Sequence, residues 1–157
     1  MILAGTGHRP QKLGGFNIPN QTYINVCQQI KQILINQKPD KVISGLALGF
    51  DQWFAYIAYS LNIPFIAAVP FIGQESVWND KSKKIYKNLL NKAADVVIVS
   101  EGGYSNEKLQ IRNEYMVDHC DKLIACWDGK PSGTANCVNY AKSKSKEILL
   151  INPLYSV

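Results

Sequence analysis

Six short apolar runs divide this chain, and they do not alternate with polar residues. They lie near positions 1–5, 41–45, 64–70, 95–100, 122–127 and 147–151. Their interiors read Ile2-Leu3-Ala4, VIS, FIAAV, VVIV, LIAC and ILLI. A strand with one wet face alternates apolar and polar residues, whereas an uninterrupted run requires cover on both faces. The segments between the runs have helical periodicity. In TYINVCQQIKQILINQ the positions Tyr23, Val26, Cys27, Ile30, Ile33 and Leu34 form one apolar stripe. LALGFDQWFAYIAYSLN (46–62) is apolar nearly all round, which predicts a central, well-buried helix. SKKIYKNLLNKA, NEKLQIRNEYMVDHC and TANCVNYAKSKSK complete the series. Asn106 reads as an N-cap for the fourth helix, and Ser76 or Asn79 for the third. Strand–helix alternation of this kind builds a parallel sheet with right-handed crossovers and helices on both faces. With no linker and no internal repeat, the expectation is α/β: a single three-layer Rossmann-like domain over 1–157, with about six mostly parallel strands.

Composition narrows the function classes. The chain is 46% hydrophobic and 18% charged without low-complexity stretches, which excludes a disordered segment. Its apolar runs all fall short of the ~20 residues that cross a bilayer, and its first residues lack the basic-then-apolar order of a secretory signal. A cytoplasmic protein with no membrane partner is expected. The four cysteines, Cys27, Cys120, Cys126 and Cys137, show no CxxC spacing and read as reduced, buried thiols, so neither a metal nor a cofactor is called for. The net charge of +5 comes from scattered lysines: KSKKIYK (81–87) and AKSKSKE (141–147) read as solvated helix faces, not one basic stripe. That argues against a nucleic-acid partner. A homodimer or higher homo-oligomer is the expectation for a symmetric soluble protein.

The unusual residues cluster where strands end. GTGHRP follows the first run, SGLALGFDQ the second and PFIGQESVW the third. SEGGYS follows the fourth and WDGKPSGT the fifth. Parallel strands deliver all five stretches to one carboxyl edge, where open α/β sheets hold ligands. Nine of the 11 glycines lie in them. Of 17 basic residues only Arg9 and Arg112 are arginine; a planar fork of donors suits a phosphate or carboxylate better than a lysine does. In SGLALGFD, Ser44, Gly45 and Gly49 resemble a phosphate cradle opening a helix, and in PSGTAN, Ser132, Gly133 and Thr134 offer a second. Neither is a Walker A loop or a GxGxxG fingerprint.

Taken in order, GTGHRP with KLGG (12–15), SGLALGFDQW (44–53), IPFIAAVPFIGQE (63–75), RNEYMVD (112–118) and DKLIACWDGKPSGTANCVNYA (121–141) resemble the YpsA-like branch of the SLOG superfamily, a Rossmann-like group that also includes the Lonely-guy phosphoribohydrolases and the DNA-processing protein A fold. The resemblance implies a carboxyl-edge site for a nucleotide or a nucleotide-derived sugar such as an ADP-ribose derivative, which members either bind or cleave at the N-glycosidic bond. Carried over by position, it implies that Gly5, Thr6, Arg9, Gly45, Gly49, Asp51, Glu75, Arg112, Asn113, Asp128, Gly133 and Thr134 bind. The hydrolases share a Pro-Gly-Gly-x-Gly-Thr run followed by a catalytic Glu. Here Pro131-Ser132-Gly133-Thr134 leads into a helix neutral until Lys142. That departure points to binding rather than hydrolysis.

Three readings follow. The leading one is a protein that senses or sequesters a small nucleotide-derived ligand. The second is a nucleotide N-glycosidase, with Glu75 as the catalytic carboxylate and His8 as an acid or base. The third is a single-stranded nucleic-acid binder. Asp51, in the first turn of its helix, suits either a ribose hydroxyl or a helix-dipole role. Trp78 is expected to line the pocket, Trp53 to lie in the core, and Trp127 either to stack on a base or to end its strand by packing.

Overall fold

The computed structural model describes residues 1–154; positions 155–157, included in the expected domain, lie outside the described residues. The apolar runs become β1 (Ile2–Gly7), β2 (Lys41–Ser44), β3 (Phe65–Val69), β4 (Asp95–Ile98), β5 (Lys122–Cys126) and β6 (Glu147–Ile151). The helices are α1 (Gln21–Gln37), α2 (Phe50–Ser60), α3 (Asp80–Lys92), α4 (Asn106–Asp118) and α5 (Gly133–Ser143), and a short 3₁₀ turn spans Pro10–Lys12. The strands form one sheet in the order β4-β3-β2-β1-β5-β6, and every pairing is parallel. The fold is α/β and Rossmann-like, as the uninterrupted apolar runs require.

Alternate strand residues feed two cores. Leu3, Val42, Phe65 and Ala67 pack with Val26, Ile30, Phe50 and Phe54 of α1 and α2, while Ala4, Ile43, Ala68 and Leu123 pack with Met116 and Val117 of α4 and Cys137 and Ala141 of α5. Burying both faces is what makes the strands read as continuous apolar runs. Trp53 is partly buried against the first core. All four cysteines are free thiols; burial pushes Cys126 and Cys137 up to about 12 and Cys27 and Cys120 up to about 11, which keeps them protonated and unreactive.

Helix starts follow the side-chain capping rule. Asn20 accepts from the Tyr23 amide, Asn79 from Ser82, Ser105 from Lys108 and Ser132 from Ala135. The cap of α4 is therefore Ser105 rather than Asn106, which is the first helical residue. The strand β1 also runs further than its apolar stub: Gly5, Thr6 and Gly7 pair with Ile124, Ala125 and Cys126 of β5, and the chain leaves the sheet at His8. The chain winds from β1 outward to β4, then crosses back under α4 to β5 on the other side of β1. Strand order thus reverses between β1 and β5, where a crevice opens at the carboxyl edge. No helix among the described residues is long and apolar enough to cross a membrane.

Candidate functional site

The crevice at that reversal is a cavity of about 310 Å³. Three elements build it. The end of β1 and the segment after it supply Thr6, His8, Arg9 and Lys12; α4 supplies Leu109, Arg112 and Asn113; and the start of α5 supplies Ser132, Gly133 and Thr134, with Asp51 of α2 beneath. Arg9 is exposed at the surface, while Arg112 and Asp51 are 3% and 5% exposed. The two arginines reserved by composition therefore have different settings.

Arg112 is a strut. Its Nη1 donates to the Gly45 carbonyl at 3.0 Å and the Ala68 carbonyl at 3.4 Å, and its Nε to Asn113 Oδ1 at 3.2 Å. These bonds pin α4 across the ends of β2 and β3. Burial lowers the pKa of Arg112, opposed by the charge of Asp51. Asp51 is pushed above the usual carboxylate range by burial, opposed by Arg112 and then Arg9. Its Oδ2 accepts weakly from the Ala47 amide at 3.4 Å, whereas Oδ1 is buried with no hydrogen-bond partner. A buried carboxylate oxygen left unpaired is costly, and such costs concentrate at functional sites.

The two cradles read from the sequence differ in the structure. In SGLALGFD the side chains bond within the protein: Ser44 Oγ donates to the Asp51 carbonyl and accepts from the Leu46 amide, and Asp51 Oδ2 accepts from the Ala47 amide. At the start of α2 the His8 carbonyl accepts from the Phe50 amide at 3.3 Å. Its glycines admit protein atoms. A methyl group at Gly45 would sit 2.3 Å from Arg112 Nη1, and one at Gly49, where φ is +92°, 2.7 Å from the His8 carbonyl. Gly5 and Gly7 likewise make room for the rings of Phe54 and Phe50 at 2.5 and 2.4 Å. These two rings stack 5.7 Å apart on β1.

At α5 the space around the glycine is open. Nothing lies within 4 Å of a methyl group at Gly133. Ser132 caps the Ala135 amide, and Asn136 bonds to the Ser132 carbonyl. Among the described residues, the amides of Gly133 and Thr134 have no partner. Two open amides at a helix N-terminus, with Arg9 and Lys12 lining the same cavity, form an anion-binding arrangement.

His8 is almost fully buried and structural in setting. Its Nε2 accepts from the Asp128 amide at 3.0 Å and lies 3.2 Å from Asp128 Oδ1. Burial lowers its pKa below the ordinary 6.5, opposed first by Asp128, so the neutral ring with the proton on Nδ1 fits the amide bond. Asp128 also faces Lys12 Nζ at 3.6 Å and is held below its usual range, first by the Lys130 amide. It stands at the rim, outside the lining. Glu75 lies on the turn after β3 and lines neither this cavity nor the neighbouring one that holds Trp78. Asp51 is then the one carboxylate among the residues lining those cavities.

A second cavity of about 380 Å³ adjoins the first, sharing Arg9, Gln11 and Leu109 with it. Trp78 lines this one, together with Phe71, Gln74 and Tyr104. Gln11, Lys12, Gln74, Tyr104 and Leu109 carry no sequence signature of a site. Only the spacing of loops along one edge could have pointed to them.

Known proteins resemble this chain in sequence and in fold. The model of the YspA SLOG family matches residues 3–153. The SPbeta prophage-derived protein YoqJ of Bacillus subtilis is 37% identical over 129 residues, covering 72% of this chain and 75% of its own. A UPF0398 protein of Halalkalibacterium halodurans is 29% identical, covering 97% and 88%. Among solved structures, DNA processing protein A of Streptococcus pneumoniae superposes with a TM-score of 0.70 at 17% identity over 96% of this chain, which spans only half of that protein. DNA processing protein A of Helicobacter pylori, whose structure concerns its single-stranded DNA binding mode, gives 0.67 at 16% identity, covering 99% and 67%.

Proposed function

The chain belongs to the YspA SLOG family, and from that membership we propose that it binds a phosphorylated, nucleotide-derived ligand of the ADP-ribose type in the β1/β5 crevice, as a sensor or sequestering protein. The observation that carries this reading is the start of α5, where the Gly133 and Thr134 amides stand open beside Arg9 and Lys12. A phosphate takes up those amides and gains the helix dipole, and Arg9 closes over it with two parallel bonds. The unpaired Oδ1 of Asp51 accepts from a sugar hydroxyl on the floor. Hydrolysis has less support. Glu75 does not line the crevice, and α5 begins without an acidic residue.

Isothermal titration of the full chain with AMP, ADP-ribose and ribose 5-phosphate tests the reading. Binding is expected, with Arg9→Ala weakening it by about tenfold or more, the value of a charge-assisted pair of bonds. Equal affinity in wild type and variant overturns the role of the crevice. The likeness to a single-stranded DNA binder supports a second reading, a strand laid along the same edge. An oligonucleotide that binds more tightly than the mononucleotides, with affinity falling steeply as salt rises, would decide for it.

A further inference from the structure

We propose that the second cavity is a nucleobase subsite, selecting a base that turns an N–H donor towards Gln74. This rests on the nucleotide reading of the neighbouring crevice and adds to it a specificity element. Arg9 and Leu109 line both cavities, so a ligand whose phosphate sits at α5 can continue past Arg9 into the second.

Two loops form the walls of this subsite. The turn after β3 brings Phe71, Gln74 and Trp78, and the segment after β4 brings Tyr104. The Tyr104 ring is 70% exposed, yet it is held edge-on by buried Phe71, with centroids 6.0 Å apart at 88°. Its hydroxyl donates to Asn106 Oδ1. Trp78 is fixed in the same way against Tyr86, at 5.3 Å and 83°. An aromatic ring left in water but locked in orientation by a perpendicular neighbour is a preorganised stacking surface: its rotamer is set before a ligand arrives.

Gln74 supplies the selectivity. It is 9% exposed, and its Nε2 donates to the Gly45 carbonyl at 3.0 Å and to the Tyr86 hydroxyl at 3.1 Å. Since a carbonyl only accepts, the carboxamide cannot turn over, and both amide hydrogens are engaged. Its Oε1 has no partner among the described residues, and Gln74 lines the cavity. An acceptor fixed in this way rewards an exocyclic amine, as on adenine, and rejects an edge that offers only a lone pair.

The test titrates the full chain with ribose 5-phosphate, AMP and purine riboside 5′-monophosphate, which keeps the ring but lacks the amine. AMP is expected to bind about tenfold or more tightly than ribose 5-phosphate, the gain of one stacked base, with the amine-free analogue in between. Tyr104→Ala, at a site too exposed to unfold the protein, is expected to erase the difference between AMP and ribose 5-phosphate. Gln74→Met should bring AMP down to the analogue. If AMP and ribose 5-phosphate bind alike, the subsite is wrong while the crevice reading stands. Should the advantage of AMP survive both Tyr104→Ala and Trp78→Ala, the aromatic walls are not its source and the subsite is likewise overturned. If none of the three binds, both proposals fall together.

Discussion

At the scale of single residues, Asp51 carries the sharpest conflict between stability and function. Burial holds its pKa above the ordinary value of 3.8, so the folded protein binds the proton more readily than the unfolded chain. The sign follows: Asp51 favours folding most at pH below 3.8, and its contribution falls as pH rises through the raised pKa. Asp51→Asn keeps an oxygen for the Ala47 amide and removes the charge. The variant is expected to melt higher than wild type at pH 7, with the gain shrinking towards pH 3.8, and to bind nucleotide more weakly. Thermal melts across pH check the first half and titration the second; a lower melting temperature at neutral pH would show that the attraction to Arg112 outweighs desolvation. Sequence alone marked Arg9 and Arg112 as worth attention because composition isolates them, and Asp51 because it opens a helix and matches the family pattern. It did not separate Arg112 as an internal strut from Arg9 as a surface fork, since that depends on which strand ends α4 crosses.

Among the secondary-structure elements, the contact of α2 with β1 explains why the first strand is so rich in glycine. Phe50 and Phe54 lie one helical turn apart, stack on each other, and press flat on Gly5 and Gly7. Gly7→Ala is expected to destabilise the fold by about 1–3 kcal/mol, the usual cost of overpacking, as read by urea unfolding. An unchanged midpoint would mean that α2 can lift off the strand. From the sequence, GTG reads as a binding loop, because glycine before a helix suits a phosphate as well as it suits an aromatic ring. The difference lies in a partner more than 40 residues away. Element types and order were legible, since uninterrupted apolar runs and 3.6-residue stripes are local signals. The one-residue shift from Asn106 to Ser105 at the start of α4 was not, as both side chains are good caps and only backbone direction decides.

Over the whole molecule, the sheet order places β1 at the centre, flanked by β2 and β5, and leaves β4 and β6 at the edges. Val96 and Ile98 of β4 remain 40% and 43% exposed, whereas Leu3 and Ala4 of β1 are fully enclosed. Hydrogen exchange is expected to be slowest in β1 and fastest in β4, with nucleotide slowing exchange at the start of α5; a β4 as protected as β1 would indicate that something covers that edge in solution. The same topology puts both cavities over the ends of adjoining strands and joins them through one atom. The Gly45 carbonyl oxygen takes a hydrogen bond from Arg112 on one side and from Gln74 on the other. Such an atom makes the two pockets a single unit of inheritance. If the proposed nucleotide occupies both, a substitution that retunes base preference would also disturb the Arg112 strut, so double-mutant cycles across Gly45 should depart from additivity.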